Sequence, residues 1–158
     1  MKKFEEKFEE FVSTKENPQD YYIEDGLVCC HGNVEITDGD LVDGKLPFRF
    51  GKVDGDFICF FCHSLTSLEG CPEKVVGNFS CPWCDSLTSL EGSPKEVGGD
   101  FNCFQCKNLT TLFGCPEKIG GNVDCSHCTK LTSLDFIPYA LGRIIHVSSD
   151  MKLDVDID

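Results

Sequence analysis

The sequence predicts a repeat solenoid, mainly β, with 22-residue units, a parallel strand ladder and a short N-terminal helix. Three observations carry this. Cys59/Cys62, Cys81/Cys84, Cys103/Cys106 and Cys125/Cys128 recur at a constant spacing of 22. On the same ruler stand Leu65, Leu87, Leu109 and Leu131, then Leu68, Leu90, Leu112 and Leu134, with Pro72, Pro94, Pro116 and Pro138 behind them. The segments 57–76, 79–98, 101–120 and 123–141 align without gaps. A fixed period of this size marks a repeat architecture and takes precedence over any local motif. A single unit has too few apolar side chains to close a core, so stability must come from stacking.

Taken in chain order, residues 2–15 come first. Phe4, Phe8 and Phe11, with Val12, fall at i, i+4 and i+7 among Lys and Glu, the pattern of an amphipathic helix that Glu16-Asn17-Pro18 ends. A solenoid must cover its first apolar rung, so residues 1–20 read as a capping helix and 21–158 as the solenoid. A partner-binding or dimerising helix is the alternative. Gly26-Leu27-Val28-Cys29 and Val34-Glu35-Ile36 look like weaker first rungs, and Val53-x-Gly55-x-Phe57 repeats the phase of Val75-x-Gly77-x-Phe79.

In the clear units, from 57 to 141, Phe57-x-Cys59 and its copies alternate with period two, giving one short strand per unit. Copies pair in parallel at roughly 4.8 Å. Leu-Thr-x-Leu-x-Gly-x-Pro then turns the chain, and the return arm is too short and too rich in Pro and Gly for an α-helix. The convex side is expected to be extended or 3-10. A fifth, degenerate unit is expected from Ile145-x-Val147 and Leu153, with Asp150 in place of the second cysteine. Residues 152–158 alternate apolar and acidic, as in a last strand whose charges discourage edge pairing. A calcium site at Asp154, Asp156 and Asp158 is the alternative there, though the run lacks the turn glycine of a calcium loop.

Composition narrows the function. Lys+Arg 14 against Asp+Glu 27 gives −13, which argues against nucleic-acid phosphates and acidic membrane surfaces as partners. It fits solubility or a basic protein surface. No apolar run approaches the roughly 20 residues of a spanning helix, and no apolar signal core follows Met1-Lys2-Lys3. The expected compartment is therefore the cytoplasm, where twelve cysteines are thiols rather than disulfides.

The cysteines admit two roles. In the solenoid, Cys59, Cys81, Cys103 and Cys125 point inward in step with Phe57, Phe79, Phe101 and Val123, as small buried apolar residues. Cys62, Cys84, Cys106 and Cys128 then fall at the following bend, where a thiol can meet backbone groups. The competing role is a zinc module, in which four thiolates converge at about 2.3 Å from one point. An iron–sulfur cluster or redox pairs are further alternatives. The ladder itself calls for no metal or cofactor. Cys71 and Cys115 share a column with Ser93 between them, so roughly 10 Å separates them, beyond disulfide reach.

The unit apolar-x-Cys-x-x-Cys-x-x-Leu-Thr-Ser-Leu-Glu-Gly-Cys-Pro resembles the leucine-rich repeat in its short, cysteine-bearing form, carried by many bacteriophage, large-virus and bacterial proteins. The resemblance covers about residues 27–158. It departs from the general pattern in standing the second cysteine three residues before Leu65 and in the glycines Gly98 and Gly120 before the strand. It implies protein–protein recognition through the strand-bearing face, by a non-enzymatic module. One form would be a phage-encoded inhibitor of a host or defence protein. Fold alone does not fix function.

With the inward columns assigned, Ile58, Phe60, Phe61, Pro82, Trp83 and Phe104 are expected to lie together on the outer side of three adjacent rungs, continued by Gln105 and His127. The core columns are already filled, so a contiguous aromatic patch there marks a partner site. The bland alternative is that the rings fold over the rim and pack on their neighbours. His127, His146, Asp124 and Asp150 form a more polar end, with no nucleophile or phosphate loop to make a catalytic set. The chain is expected to be monomeric or weakly self-associating.

Overall fold

A computed structural model describes residues 2–139 and 143–149 of the chain as a two-sheet parallel β solenoid with one N-terminal helix. Helix α1 spans Phe4–Ser13. The strands are β1 (Tyr21–Glu24), β2 (Leu27–Cys30), β3 (Val34–Ile36), β4 (Phe50–Val53), β5 (Phe57–Cys59), β6 (Lys74–Val75), β7 (Phe79–Ser80), β8 (Glu96–Val97), β9 (Phe101–Asn102), β10 (Lys118–Ile119), β11 (Val123–Asp124) and β12 (Ile145–His146). The front sheet has the order β12-β11-β9-β7-β5-β3, and the back sheet β1-β2-β4-β6-β8-β10.

The front sheet is the predicted ladder. Phe57 pairs with Phe79, Phe79 with Phe101, Phe101 with Val123 and Val123 with Ile145, all in parallel register. The rings of Phe57, Phe79 and Phe101 stack nearly parallel, at 5.8 and 5.4 Å between centroids. Each is fully buried, which contributes about 2–3 kcal/mol per ring. The leucine columns and the buried Pro72, Pro94 and Pro116 fill the space between the sheets.

The return arm is extended, one of the two forms expected of it, and its copies pair into a second parallel sheet through Val53, Val75, Val97 and Ile119. Each of these side chains is buried while the preceding Lys or Glu points outward. Once the front sheet fixes the rung spacing, the arms come within pairing distance. Their backbone groups satisfy one another, as in Gly98 N–H to Val75 C=O at 2.9 Å.

The corner between the sheets rests on a side-chain ladder. Asn33, Asp56, Asn78 and Asp100 each accept, through Oδ1, the backbone N–H of the equivalent residue one rung on, at 2.7–2.8 Å. Asn122 does the same for Ile144 at 3.1 Å. The adjacent column Gly55, Gly77, Gly99 and Gly121 is required by this ladder, because a Cβ at Gly99 would overlap Asn78 Oδ1 and one at Gly121 would overlap Asp100 Oδ1.

At the N-terminal end, Phe11 packs edge-on against Tyr21, Phe48 and Phe50 at 5.6, 5.4 and 6.3 Å, and Phe4 and Phe8 also meet Phe48. The helix thus covers the first rungs. Lys15, beyond its end, reaches Asp40 at 2.6 Å with both side chains nearly buried. An antiparallel hairpin joins β1 to β2 through Asp25 and Gly26, both at positive φ as a tight Asp-Gly turn demands. At the other end the Arg143 guanidinium meets the carbonyls of Ile119 and Gly121, covering backbone acceptors of the last back-sheet rung. Ile145–His146 supplies the front strand of the expected fifth unit. Leu141, Asp150, Leu153 and the acidic tail at 152–158, with its calcium alternative, lie outside the described residues.

Candidate interaction surface

Beyond each front strand the chain makes a tight turn through the two residues between the cysteines. The second of them, Phe61, Trp83, Gln105 or His127, has φ of 53°, 55°, 55° and 60° respectively. A turn with positive φ at its third position ordinarily takes Gly or Asn. An L-residue with a Cβ costs roughly 1–2 kcal/mol there. The turns hold because their N–H groups bond along the stack, with Trp83 N–H to Phe104 C=O at 2.9 Å and Gln105 N–H to Ser126 C=O at 2.9 Å.

This geometry throws the rings into one row along the solenoid. Phe61 stacks on Trp83 at 4.6 Å and 21°, Phe60 stands edge-on to both at 4.3 and 5.4 Å, and Phe104 is edge-on to Trp83 at 5.1 Å. His127 continues the row 5.1 Å beyond Phe104. Phe60 and Phe61 are 47% and 43% exposed. Ile58, Trp83, Phe104 and Gln105 are half-buried, and His127 is exposed.

One expected surface residue is corrected. Pro82 is buried, because it sits in the column between Phe60 and Phe104 at the second position of its turn, with its carbonyl taken by Phe61 N–H at 3.3 Å. Alternation along the strand stops at Ser80, so the inside–outside rule that placed Pro82 outward no longer applies. The neighbouring rings do pack on one another, yet the Phe60 and Phe61 end stays open to solvent.

The cysteines line the inner side of the same turns. Cys62, Cys84, Cys106 and Cys128 direct their sulfurs at the carbonyls of Ile36, Cys59, Cys81 and Cys103, at 3.4, 3.4, 3.1 and 3.1 Å. Each second-column thiol therefore ties the end of the preceding rung's strand. Among the described residues no group of three or more His, Cys, Asp and Glu side chains is placed to hold a metal ion. The Cys106 thiol and burial push the Cys81 pKa well up, and Cys128 and burial do so for Cys103. The neighbouring Cys59 and Cys84 thiols instead lower that of Cys62. Burial pushes Cys115 and Cys125 up to about 12, and Cys71 up as well.

Along the same edge His63 Nδ1 lies 3.1 Å from Asp85, and Asp38 accepts from the Ser64 N–H and hydroxyl at 2.8 and 2.7 Å, which lowers its pKa. At the polar end Asp124 holds Ser126 at 2.5 Å, and Ser148 takes the His127 N–H. Asp124 is thus engaged locally with Ser126. His146 is exposed on β12, and Asp150 lies outside the described residues. No described helix is long and apolar enough to cross a membrane. Compared with protein-family models, curated proteins and solved structures, the chain has no match, so the surface is read from its own geometry.

Proposed function

We propose that the chain is a non-enzymatic protein-binding module that docks a protein partner on the aromatic row, centred on Phe60, Phe61 and Trp83. The observation that carries this is the contiguous aromatic cluster at the open end of the row. Phe60 and Phe61 are exposed and packed with the half-buried Trp83, on turns whose left-handed conformation recurs in every unit, and the exposed rings are not needed to fill the core. Exposed aromatics of this kind point to recognition, since such rings dominate the energetics of interfaces. The resemblance to cysteine-bearing leucine-rich repeats supports the same conclusion. Inhibition of a host or defence protein would be one use of such docking.

The test is capture followed by titration. Wild-type protein retains a partner from lysate of its native host, and the purified pair binds by calorimetry. Phe60→Ala with Phe61→Ala is expected to weaken that affinity roughly a hundred-fold, about 2.7 kcal/mol, with an unchanged circular dichroism spectrum. Unchanged affinity in the double variant would refute the surface. The zinc-module alternative predicts bound metal after purification without chelator, and unfolding when a chelator is added.

A further inference from the structure

The rim beside the aromatic row changes sign along the solenoid. At the Phe60 and Phe61 end it is acidic. Glu35 pairs in register with Ile58 and projects from β3 with its side chain exposed. Asp38 is exposed on the loop that follows, and Asp85 stands against His63, whose ring is 6.0 Å from Phe61. The nearest lysine from the helix side, Lys15, is already bound to Asp40 and nearly buried, so it does not neutralise this rim. One rung further the column of Asp85 carries Lys107, and the neighbouring column of Ser86 and Asn108 carries the exposed Lys130. The carboxylates thus lie on the β3 rung and the Trp83 rung, either side of Phe60 and Phe61, and the lysines on the rungs of Phe104 and His127.

We infer that the partner segment is basic and amphipathic, seating apolar side chains on the Phe60–Phe61–Trp83 cluster and arginine or lysine side chains against Glu35, Asp38 and Asp85. This rests on the docking surface proposed above and specifies its chemistry. Cations near carboxylates and ring faces gain from both, and a rim of one sign steers and orients a partner more than it tightens it. A second copy of the chain, at −13, brings like charge to the same rim and is disfavoured.

The experiment uses the full chain and two synthetic helical peptides of equal length, leucine–arginine and leucine–glutamate, both free of tryptophan. Binding is read from the emission of Trp83, the single tryptophan of the protein. The leucine–arginine peptide is expected to bind roughly ten-fold or more tightly than its acidic counterpart, and to weaken as salt rises. Asp85→Lys should cost about ten-fold, whereas Glu117→Lys, the same charge change on the back sheet, should cost less than about two-fold. Lys107 occupies the equivalent position, so the substitution suits the fold, and a thermal melt checks it. Equal affinity for both peptides, equal losses in the two lysine variants, no arginine-peptide binding, or a peptide-free dimer that buries Trp83 would each overturn the inference. If both peptides bind alike and Phe60→Ala abolishes both, the docking surface stands and only its charge preference falls. Arginine-peptide binding that survives Phe60→Ala removes both.

Discussion

On the back sheet, Glu73, Lys95 and Glu117 stack in one column and Lys74, Glu96 and Lys118 in the next, so every rung reverses the charges of its neighbour. Most of these charges pair within their columns: Lys95 with Glu73 at 3.4 Å, and Glu96 with both Lys74 and Lys118 at 3.6 and 3.0 Å. On the front turns the same stacking brings together Phe61, Trp83, Gln105 and His127, in strained backbone and with rings left exposed. The two surfaces share one rung spacing and one core. What differs is whether the stacked side chains complete one another. A self-completing column has no need of a partner, while an incomplete and strained one is where a partner would act.

The thiols, Cys125 at the end of a front strand and Cys71 and Cys115 at the start of the return arm, are the most sensitive part of this contrast. Cys71, Cys115 and Cys125 have folded pKa values raised by burial, the last two to about 12. An unfolded thiol titrates near pH 8.5. Each therefore stabilises the fold fully below that pH and loses its contribution as pH rises toward 12, at up to about 1.4 kcal/mol per pH unit per thiol. Chemical denaturation between pH 7 and 11 should show stability falling steeply above pH 8.5. A flat profile would mean that the thiols reach solvent.

The join between the surfaces comes next in size. Gly99→Ala forces a methyl onto Asn78 Oδ1 and so breaks the bond to Asp100 N–H, which is 2.8 Å long. Overpacking and the lost bond together should cost about 3 kcal/mol, or roughly 6–12 °C in Tm for a chain of this size. Asn78→Ala in the same chain should recover much of the steric part. If Gly99→Ala melts like wild type, the corner ladder is not tight.

A smaller effect should come from exchanging Lys95 and Glu96, which leaves composition intact and sets like charge on like across three rungs. The Tm should fall by a few degrees at low salt and return as salt screens the columns. In the wild type the pKa of Glu96 is lowered chiefly by its hydrogen bond to Lys118, an interaction that the exchange removes. Indifference to salt would show that the alternation on the back sheet contributes nothing.

Much of this fold was legible because stacking amplifies weak signals. Phe57, Phe79 and Phe101 or the two leucine columns would mean little alone, yet repeated in step they locate the front strands and the core. The second sheet was hidden because Lys74–Val75 and its copies are two residues long, too short for alternation to register. The corner Asn/Asp column was visible as a pattern, at Asp56, Asn78, Asp100 and Asn122, but its bonding depends on the rung spacing rather than on residue type. The aromatic row was foreseen except for Pro82, which the turn carries inward. The Asp25-Gly26 hairpin carried a standard turn signal that the repeat overshadowed. The left-handed column left no mark at all, since Phe61, Trp83, Gln105 and His127 are not turn residues by composition.

That column also yields the smallest and cleanest test, because Gln105 has the strained backbone without an aromatic ring. Gln105→Gly removes the left-handed penalty of roughly 1–2 kcal/mol and adds about 0.5–1 kcal/mol of chain entropy lost on folding. A net gain of about 0.5 kcal/mol is expected, read as a higher denaturation midpoint at unchanged slope. At Phe61 the same change also discards the stack on Trp83 and the contact with Phe60, which offsets the relief by about 0.5–1.5 kcal/mol per ring pair. Phe61→Gly should therefore lose about 0.5–2.5 kcal/mol of stability along with binding, where Gln105→Gly gains, which separates the turn's cost from the rings' contribution. If Gln105→Gly destabilises the fold, the column is not strained, and the aromatic residues in it lose their claim to be held there against the preference of the backbone.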